Sequence, residues 1–285
     1  MHYIDCGGEV EVAGVSDFDL VKIFECGQCF RWYADENGVY TGVAHGRAAR
    51  IRQYGDSIFI SGSVYDFETI WRDYFDLDRD YPNIRQRLCT DEFMQRATEH
   101  GEGIRILRQD KWEALCSFIL SQCNNIPRIK KIIESLCREF GDRIKFGGEE
   151  YYAFPLAEKL APLNEENLAP LRCGYRAAYV LSAARAVSDG AIDLDALSRG
   201  SPGDARASLK KLRGVGDKVA DCVVLFGLNI LDAFPVDIWM KRAIARNYGQ
   251  GFDPGIFSPY AGVAQQYIFF YERTYQELKK ASKKR

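Results

Sequence analysis

The sequence predicts an α+β protein in which a β-rich N-terminal part, residues 1–103, precedes a helical part, residues 104–285. Three observations carry this. Between residues 39 and 63, apolar and β-branched residues recur in short alternating runs, the pattern of half-buried strands. From about residue 104 the apolar spacing changes to three and four, which marks one face of a helix. The helical runs are joined by short connections, as in proteins that segregate their strands from their helices.

In chain order, "VYTGVAHG", "AARIRQYG" and "SIFISGS" read as strands, with Gly55-Asp56-Ser57 as a hairpin turn. "DFETIWRDYF" (66–75) has helical periodicity, and Ser63 and Asp66 stand at capping-box spacing. "DKWEALCSFILSQ" (110–122) places Trp112, Leu115 and Ile119 on one face behind an Asp110 N-cap. "IPRIKKIIESLCREFG" runs to Gly141, and "GYRAAYVLSAARAVSDG" runs to Gly190. "SPGDARASLKKL", a glycine turn, "DKVADCVVLFGL", "DIWMKRAIARNYG" and "YAGVAQQYIFFYERTYQELKK" complete the set. No repeat or low-complexity segment interrupts them.

An apolar fraction of 47% with 27% charged residues suits a soluble globular chain. No apolar run approaches the length of a membrane span, and the N-terminus lacks the basic and apolar regions of a signal peptide. We therefore expect a cytoplasmic protein with reduced thiols, associated with the nucleoid if prokaryotic. The nine cysteines are scattered, in keeping with that. Cys26 and Cys29 form the one C-x-x-C pair, open to a metal or redox reading, but the histidines (His2, His45, His100) are not at ligand spacing. The net charge of −2 hides an asymmetry: residues 1–100 carry 10 basic and 18 acidic side chains, residues 201–285 carry 14 and 8. A basic final third fits an anionic partner, although the tail "ELKKASKKR" alone supplies five of those charges.

The most informative stretch is "LRGVGDKVADC" (212–222). Leu212, Val215, Val219 and Val223 are apolar pins around a turn at Gly214 and Gly216. Those glycines permit left-handed angles or close approach. Backbone N–H groups at the start of the next helix make a seat for phosphate, one that grips DNA without reading sequence. Lys218 follows at once, either as a solvated residue or as an amine held against a substrate. Further on, "FPVDIWMKRAIARNYG" places Asp237 at a helix N-cap.

Glycine hairpin, lysine and Pro-Val-Asp together resemble the helix–hairpin–helix DNA glycosylases with a Gly/Pro-Asp loop. In that superfamily a lysine at this position implies a bifunctional enzyme. Lys218 would attack deoxyribose C1′, expel the base and form a Schiff base, after which β-elimination cuts the strand. An amine attacks only when uncharged, a form favoured by burial and by a helix N-terminus. Asp237 would steady positive charge on the sugar and assist proton transfer. No cysteine follows Cys222, so the iron–sulfur branches do not fit.

"GQCFRWY" (27–33), "ILRQD" (106–110), "GYRAAYV" (174–180) and "GVAQQYIFF" (262–270) narrow the resemblance to the eukaryotic-type 8-oxoguanine DNA glycosylases, over roughly residues 10 to 275. It implies a twisted antiparallel β domain and two helical subdomains, with the lesion cavity between them. It implies that the Gly27 carbonyl accepts the N7–H that only the oxidised base carries. Gln265 would bond the Watson–Crick edge, with Phe269 stacked on one face of the base and Cys222 on the other. Phe269 also fits an apolar core stripe, and Cys222 a small core residue. Arg128, Tyr175 and Arg176 would hold the orphaned cytosine, giving preference for the lesion opposite cytosine.

Two departures stand out. The family's inserted asparagine falls at Cys123, with Asn124 and Asn125 just after, so one of these asparagines takes the role or the wedge differs. A frequent histidine is Trp239 here, so a phosphate contact comes from the indole N–H or is lost. The resemblance further implies that carbonyls of Lys210, Leu212 and Val215 hold Na+ or K+, with no cofactor required. The partner would be double-stranded DNA containing 8-oxoguanine, bound by a monomer. The lack of long flanks points to a bacterial or archaeal member. A glycosylase for another damaged base would lack the covalent lysine step, and a non-catalytic DNA-binding module would use the hairpin alone.

Overall fold

The structure, a computed structural model, describes residues 1–282, with side chains through Tyr275; the basic run 277–285 lies outside the described side chains. Six antiparallel strands form one sheet in the order β1-β2-β6-β5-β4-β3. They are β1 (His2–Asp5), β2 (Glu9–Ala13), β3 (Trp32–Ala34), β4 (Tyr40–Ala44), β5 (Arg47–Tyr54) and β6 (Ser57–Ser61). The three strands expected between 39 and 63 are β4, β5 and β6. Their alternation shows which face is covered: Ala49, Ile51, Ile58 and Ile60 are buried, while Arg50 is exposed. β1, β2 and β3 lie outside the stretch where the alternation is clearest. β1 and β3 are only four and three residues long, and each is followed at once by a glycine- and charge-bearing turn.

The expected capping box is present: Asp66 N–H donates to Ser63 Oγ at 3.1 Å and Ser63 N–H to Asp66 Oδ2 at 3.3 Å. It opens a continuous helical stretch with a π-turn at Phe67–Trp71. Asp110 Oδ1 accepts from Glu113 N–H at 2.8 Å, as its cap position requires.

Helices make up most of the rest. Those that matter for the site are Lys111–Ser121, Ile126–Phe140, Arg176–Ser188, Pro202–Leu209, Asp217–Phe226, Ile238–Asn247 and Ala261–Ser282. A two-stranded hairpin, β7 (Arg143–Phe146) and β8 (Glu149–Tyr152), interrupts a part expected to be all helical. Its sequence, "RIKFGGEEYY", carries a Gly-Gly turn between runs too short to show a period.

Two apolar cores result. The β-domain core gathers Val12, Phe24, Cys29, Trp32, Ile51, Phe67 and Trp71. The helical core includes Tyr81, Ile84, Leu88, Phe93 and Met94, so helices Tyr81–Leu88 and Glu92–His100 pack with the second body although they precede residue 104. Cys26 belongs to the helical core and Cys29 to the β core, so the C-x-x-C pair faces two interiors.

Between these cores lies Arg105, 2% exposed. Its guanidinium donates to the carbonyls of Asp17 (2.9 Å), Asp76 (2.7 Å) and Ser16 (2.6 Å) and stacks on Tyr81 at 4.5 Å. Arg105→Met would leave three carbonyls unpaired at this junction. Denaturant unfolding should show a loss of about 3 kcal/mol, the range for buried charge-assisted bonds.

Candidate active site

The hairpin builds the site's floor. Leu212, Val215, Val219 and Val223 are all buried, and Val215 N–H closes the turn on Leu212 O at 3.1 Å. The two glycines serve different ends. Gly214 has φ +81°, and a Cβ there would overlap the Tyr179 ring. Gly216 has φ −92° and is the N-cap of Asp217–Phe226, with no side-chain cap; a Cβ on it would meet nothing within 4 Å. The left-handed conformation expected of the turn is therefore confined to Gly214, and Gly216 leaves open space before the first N–H groups of a helix. Asp217 in that first turn is paired with Lys210 at 2.6 Å and Arg206 at 3.1 Å.

Lys218, Cys222, Asp237, Gly27, Gln265 and Phe269 line one cavity, joined by Cys26, Phe118, Phe226, Pro235 and Gln266. Lys218 is exposed rather than buried. It stands in the first turn of its helix, at the cavity mouth, with Nζ 5.6 Å from the Phe118 ring centroid. One turn on, burial pushes the Cys222 thiol up to about 11, while the Lys218 ammonium beside it pulls the other way. Asp237 caps its helix as expected: Oδ1 accepts from Trp239 N–H and Met240 N–H, both at 2.9 Å. That helix is tied to the C-terminal helix by Arg246, whose Nη1 donates to both oxygens of the buried Glu272 at 3.0 and 3.1 Å.

The remaining wall is the Gly27 loop. Gly27 has φ +86°, and a Cβ would stand 3.8 Å from Phe269 Cε1. Conformation, not crowding, demands glycine in the free protein. Fully buried Gln28 fixes the loop: its Nε2 donates to Ile23 O (3.0 Å) and Arg105 O (2.8 Å), and its Oε1 accepts from Leu107 N–H (2.9 Å). Gln109 Nε2 donates to Gln28 O at 2.7 Å. The stretches "GQCFRWY" and "ILRQD" thus meet through the carboxamides of Gln28 and Gln109. Behind Phe269, Arg273 lies 5.8 Å from the ring and donates to Glu25 O.

A second constellation flanks the cavity. Cys123 is exposed with φ +47°. Both asparagines are engaged locally: Asn125 Oδ1 caps Ile126–Phe140 through Arg128 N–H at 3.0 Å, and Asn124 Nδ2 donates to Leu120 O at 3.2 Å. Arg176 is 5% exposed. Its guanidinium donates to the carbonyls of Gln122, Cys123 (3.1 Å) and Cys173 (3.2 Å), so it braces the 122–123 loop from beneath. Arg128 is exposed and reaches Arg172 O at 3.2 Å. Tyr175, 52% exposed, contacts Tyr179 edge-on at 5.6 Å. Trp239 is half-buried, 5.6 Å from Arg242.

Phe118 and Phe226 look like core residues in their own segments and carry no site role in sequence, and Pro235 enters there only through the Pro-Val-Asp motif. The reading from sequence also left Cys26 and Gln266 out of the cavity, their only signal being adjacency to Gly27 and Gln265.

The helical body with its glycine hairpin and capped aspartate defines a class: residues 116–253 match the HhH-GPD superfamily of base excision DNA repair proteins. Residues 12–115 match the N-terminal domain of 8-oxoguanine DNA glycosylase. The chain is 32% identical over 259 residues to the N-glycosylase/DNA lyase of Saccharomyces cerevisiae, covering 82% of this chain and 69% of that protein. It superposes with a TM-score of 0.92 on MBOgg1 in complex with a low affinity DNA ligand (44% identity, 97% and 100% of the two chains). The same score relates it to the Clostridium acetobutylicum 8-oxoguanine glycosylase/lyase bound to dsDNA containing cytosine opposite 8-oxoG (36% identity, 97% and 99%). The chain belongs to the 8-oxoguanine DNA glycosylase family.

The glycine contrast is directly measurable. Gly214→Ala combines a left-handed backbone with overlap on Tyr179 and should cost about 3 kcal/mol or more. Gly216→Ala should cost under about 1 kcal/mol, the scale of an N-cap exchange. Equal thermal shifts for the two would refute the difference in their roles.

Proposed function

We propose that this protein excises 8-oxoguanine from duplex DNA and then cleaves the strand at the abasic site. The observation that carries this reading is the convergence of Lys218, Asp237, Gly27, Gln265 and Phe269 on one cavity from four separate stretches of chain.

A base inside a duplex cannot reach such a cavity, so it is extruded. Phe269 then stacks on one face and Cys222 lies against the other. The Gly27 carbonyl accepts N7–H, and Gln265 meets the Watson–Crick edge. Unmodified guanine leaves that carbonyl unpaired, at a cost of about 1–3 kcal/mol. The open N-terminus at Gly216 seats a phosphate, assisted by the Trp239 indole. The carbonyls of Lys210, Leu212 and Val215 would hold a monovalent cation, which would add positive charge to the phosphate seat. Leu212 O already accepts from Val215 N–H, and its second lone pair is the one offered.

Lys218 faces solvent in the free protein, and a duplex seated over the cavity excludes that water. Exclusion favours the uncharged amine. The Nζ lone pair forms a bond to C1′ as the C1′–N9 bond breaks, its electron pair leaving with the base, which takes up a proton. Nζ gives up one proton, the C1′–O4′ bond breaks as O4′ takes up a proton, and the Nζ lone pair closes a protonated Schiff base to C1′. Removal of a C2′ proton forms the C2′–C3′ double bond and expels the 3′ phosphate. Asp237 faces the cationic sugar throughout.

Borohydride reduction on an 8-oxoguanine duplex should trap a covalent adduct with the wild type and none with Lys218→Gln. Asp237→Asn keeps an N-cap but loses the charge, and single-turnover excision should fall by about 10² or more. Duplex binding with no adduct from the wild type would leave only a DNA-binding module.

On the opposite strand, Arg128 and Tyr175 hold the orphaned cytosine, and Arg176 sets the 122–125 loop, Cys123 at its tip, into the gap. Donors on a guanidinium suit cytosine N3 and O2. Arg128→Ala should therefore lose the preference for cytosine over other opposite bases while excision from single strands is retained. An unchanged preference would remove Arg128 from this role.

A further inference from the structure

The C-terminal helix sets two carboxamides side by side on the cavity, and only Gln265 has a role in the reading above. Gln265 is 4% exposed and Gln266 3%, and both line the cavity. Gln266 Nε2 donates to Gln265 Oε1 at 3.2 Å. The Gln266 Oε1 is buried with no hydrogen-bond partner among the described residues. Burying a half-satisfied carboxamide is unfavourable where an apolar side chain of the same length would fit. The bond it does make goes to the residue that meets the base.

A carboxamide is nearly symmetric in shape, and half a turn about its last torsion exchanges its donor and acceptor ends. The two oxidised purines call for opposite ends. 8-Oxoguanine offers O6 as an acceptor beside N1–H as a donor, whereas 8-oxoadenine offers a 6-amino donor beside N1 as an acceptor. The Gly27 carbonyl cannot separate them, because both carry N7–H. We propose that Gln266 is a specificity-determining positioning residue. Its donor occupies Gln265 Oε1 and holds that carboxamide with Nε2–H toward O6 and the second Oε1 lone pair toward N1–H, so that the cavity takes 8-oxoguanine and rejects 8-oxoadenine. This rests on the assignment of Gln265 to the Watson–Crick edge.

The test is single-turnover excision of 8-oxoguanine and of 8-oxoadenine, each opposite the same base, with folding checked by thermal melts. Gln266→Met removes the lock and should narrow the ratio of the two rates by about tenfold, the scale of one net hydrogen bond. Gln266→Glu offers only acceptors; it should draw Gln265 Nε2 to itself and raise 8-oxoadenine excision relative to 8-oxoguanine. A merely structural Gln266 would lower both rates together, and an unmoved ratio in Gln266→Met overturns the proposal. Should the methionine variant not fold, Gln266→Asn, one methylene too short to reach, is read the same way. Gln265→Met separates the two ideas. If it collapses the ratio and Gln266→Met does not, the lock fails alone; if it leaves both rates unchanged, the assignment of Gln265 fails and the lock with it.

Discussion

The Gln28 carboxamide is the contact on which the site depends. It belongs to the β domain by sequence, yet it bonds the backbone of Arg105 and Leu107 on the approach to the helical body. With Gln109 and Arg273, which donate to Gln28 O and Glu25 O, it fixes the Gly27 loop, and a backbone carbonyl can discriminate only if its position is fixed. Cys26 and Cys29 flank this point and bury their thiols in different cores. Burial pushes the Cys26 thiol up to about 11, so these sulfurs act as small apolar anchors on either side of the loop.

The chemistry then follows from placement. Lys218 and Asp237 stand in the first turn and at the cap of a helix, where the chain can hold a polar group at a cavity edge without burying it. The apolar Phe118 and Phe226 rings, stacked at 5.3 Å, back the lysine from the core side. An exposed amine beside apolar rings needs only the substrate to complete its enclosure. On the proposed reading, the strand to be cut would also supply the dry surroundings that favour the uncharged amine.

Much of this was legible in the chain. The capping box at Ser63, the caps at Asp110 and Asp237, and the glycine hairpin are local events, decided within four residues, and local rules describe them. β4, β5 and β6 showed their period because one face of each is covered. β1, β3 and the β7–β8 hairpin are too short to show a period, although each pairs with a neighbour close in sequence. Among the site residues, Lys218 and Asp237 carry a signal in their spacing to glycine and proline. Phe118 and Gln266 carry none: each becomes a wall residue only when helices more than a hundred residues apart are laid together. Lys218, left open in sequence between a solvated residue and an amine held against a substrate, is exposed in the free protein, because a position in the first helical turn at a cleft mouth has protein on one side only. Arg176, which the family resemblance assigns to the orphaned cytosine, is buried and donates to the carbonyls of Gln122, Cys123 and Cys173, contacts that its sequence position does not reveal.

The tyrosine ring that fills the space above Gly214 belongs to Arg176–Ser188, the helix whose opening residues brace the loop at Cys123. Tyr179 and Arg176 are one turn apart on that helix, so the hairpin and the 122–123 loop rest on a single short support. On the proposed reading, a shift of that turn would disturb the phosphate seat and the loop aimed at the opposite strand together.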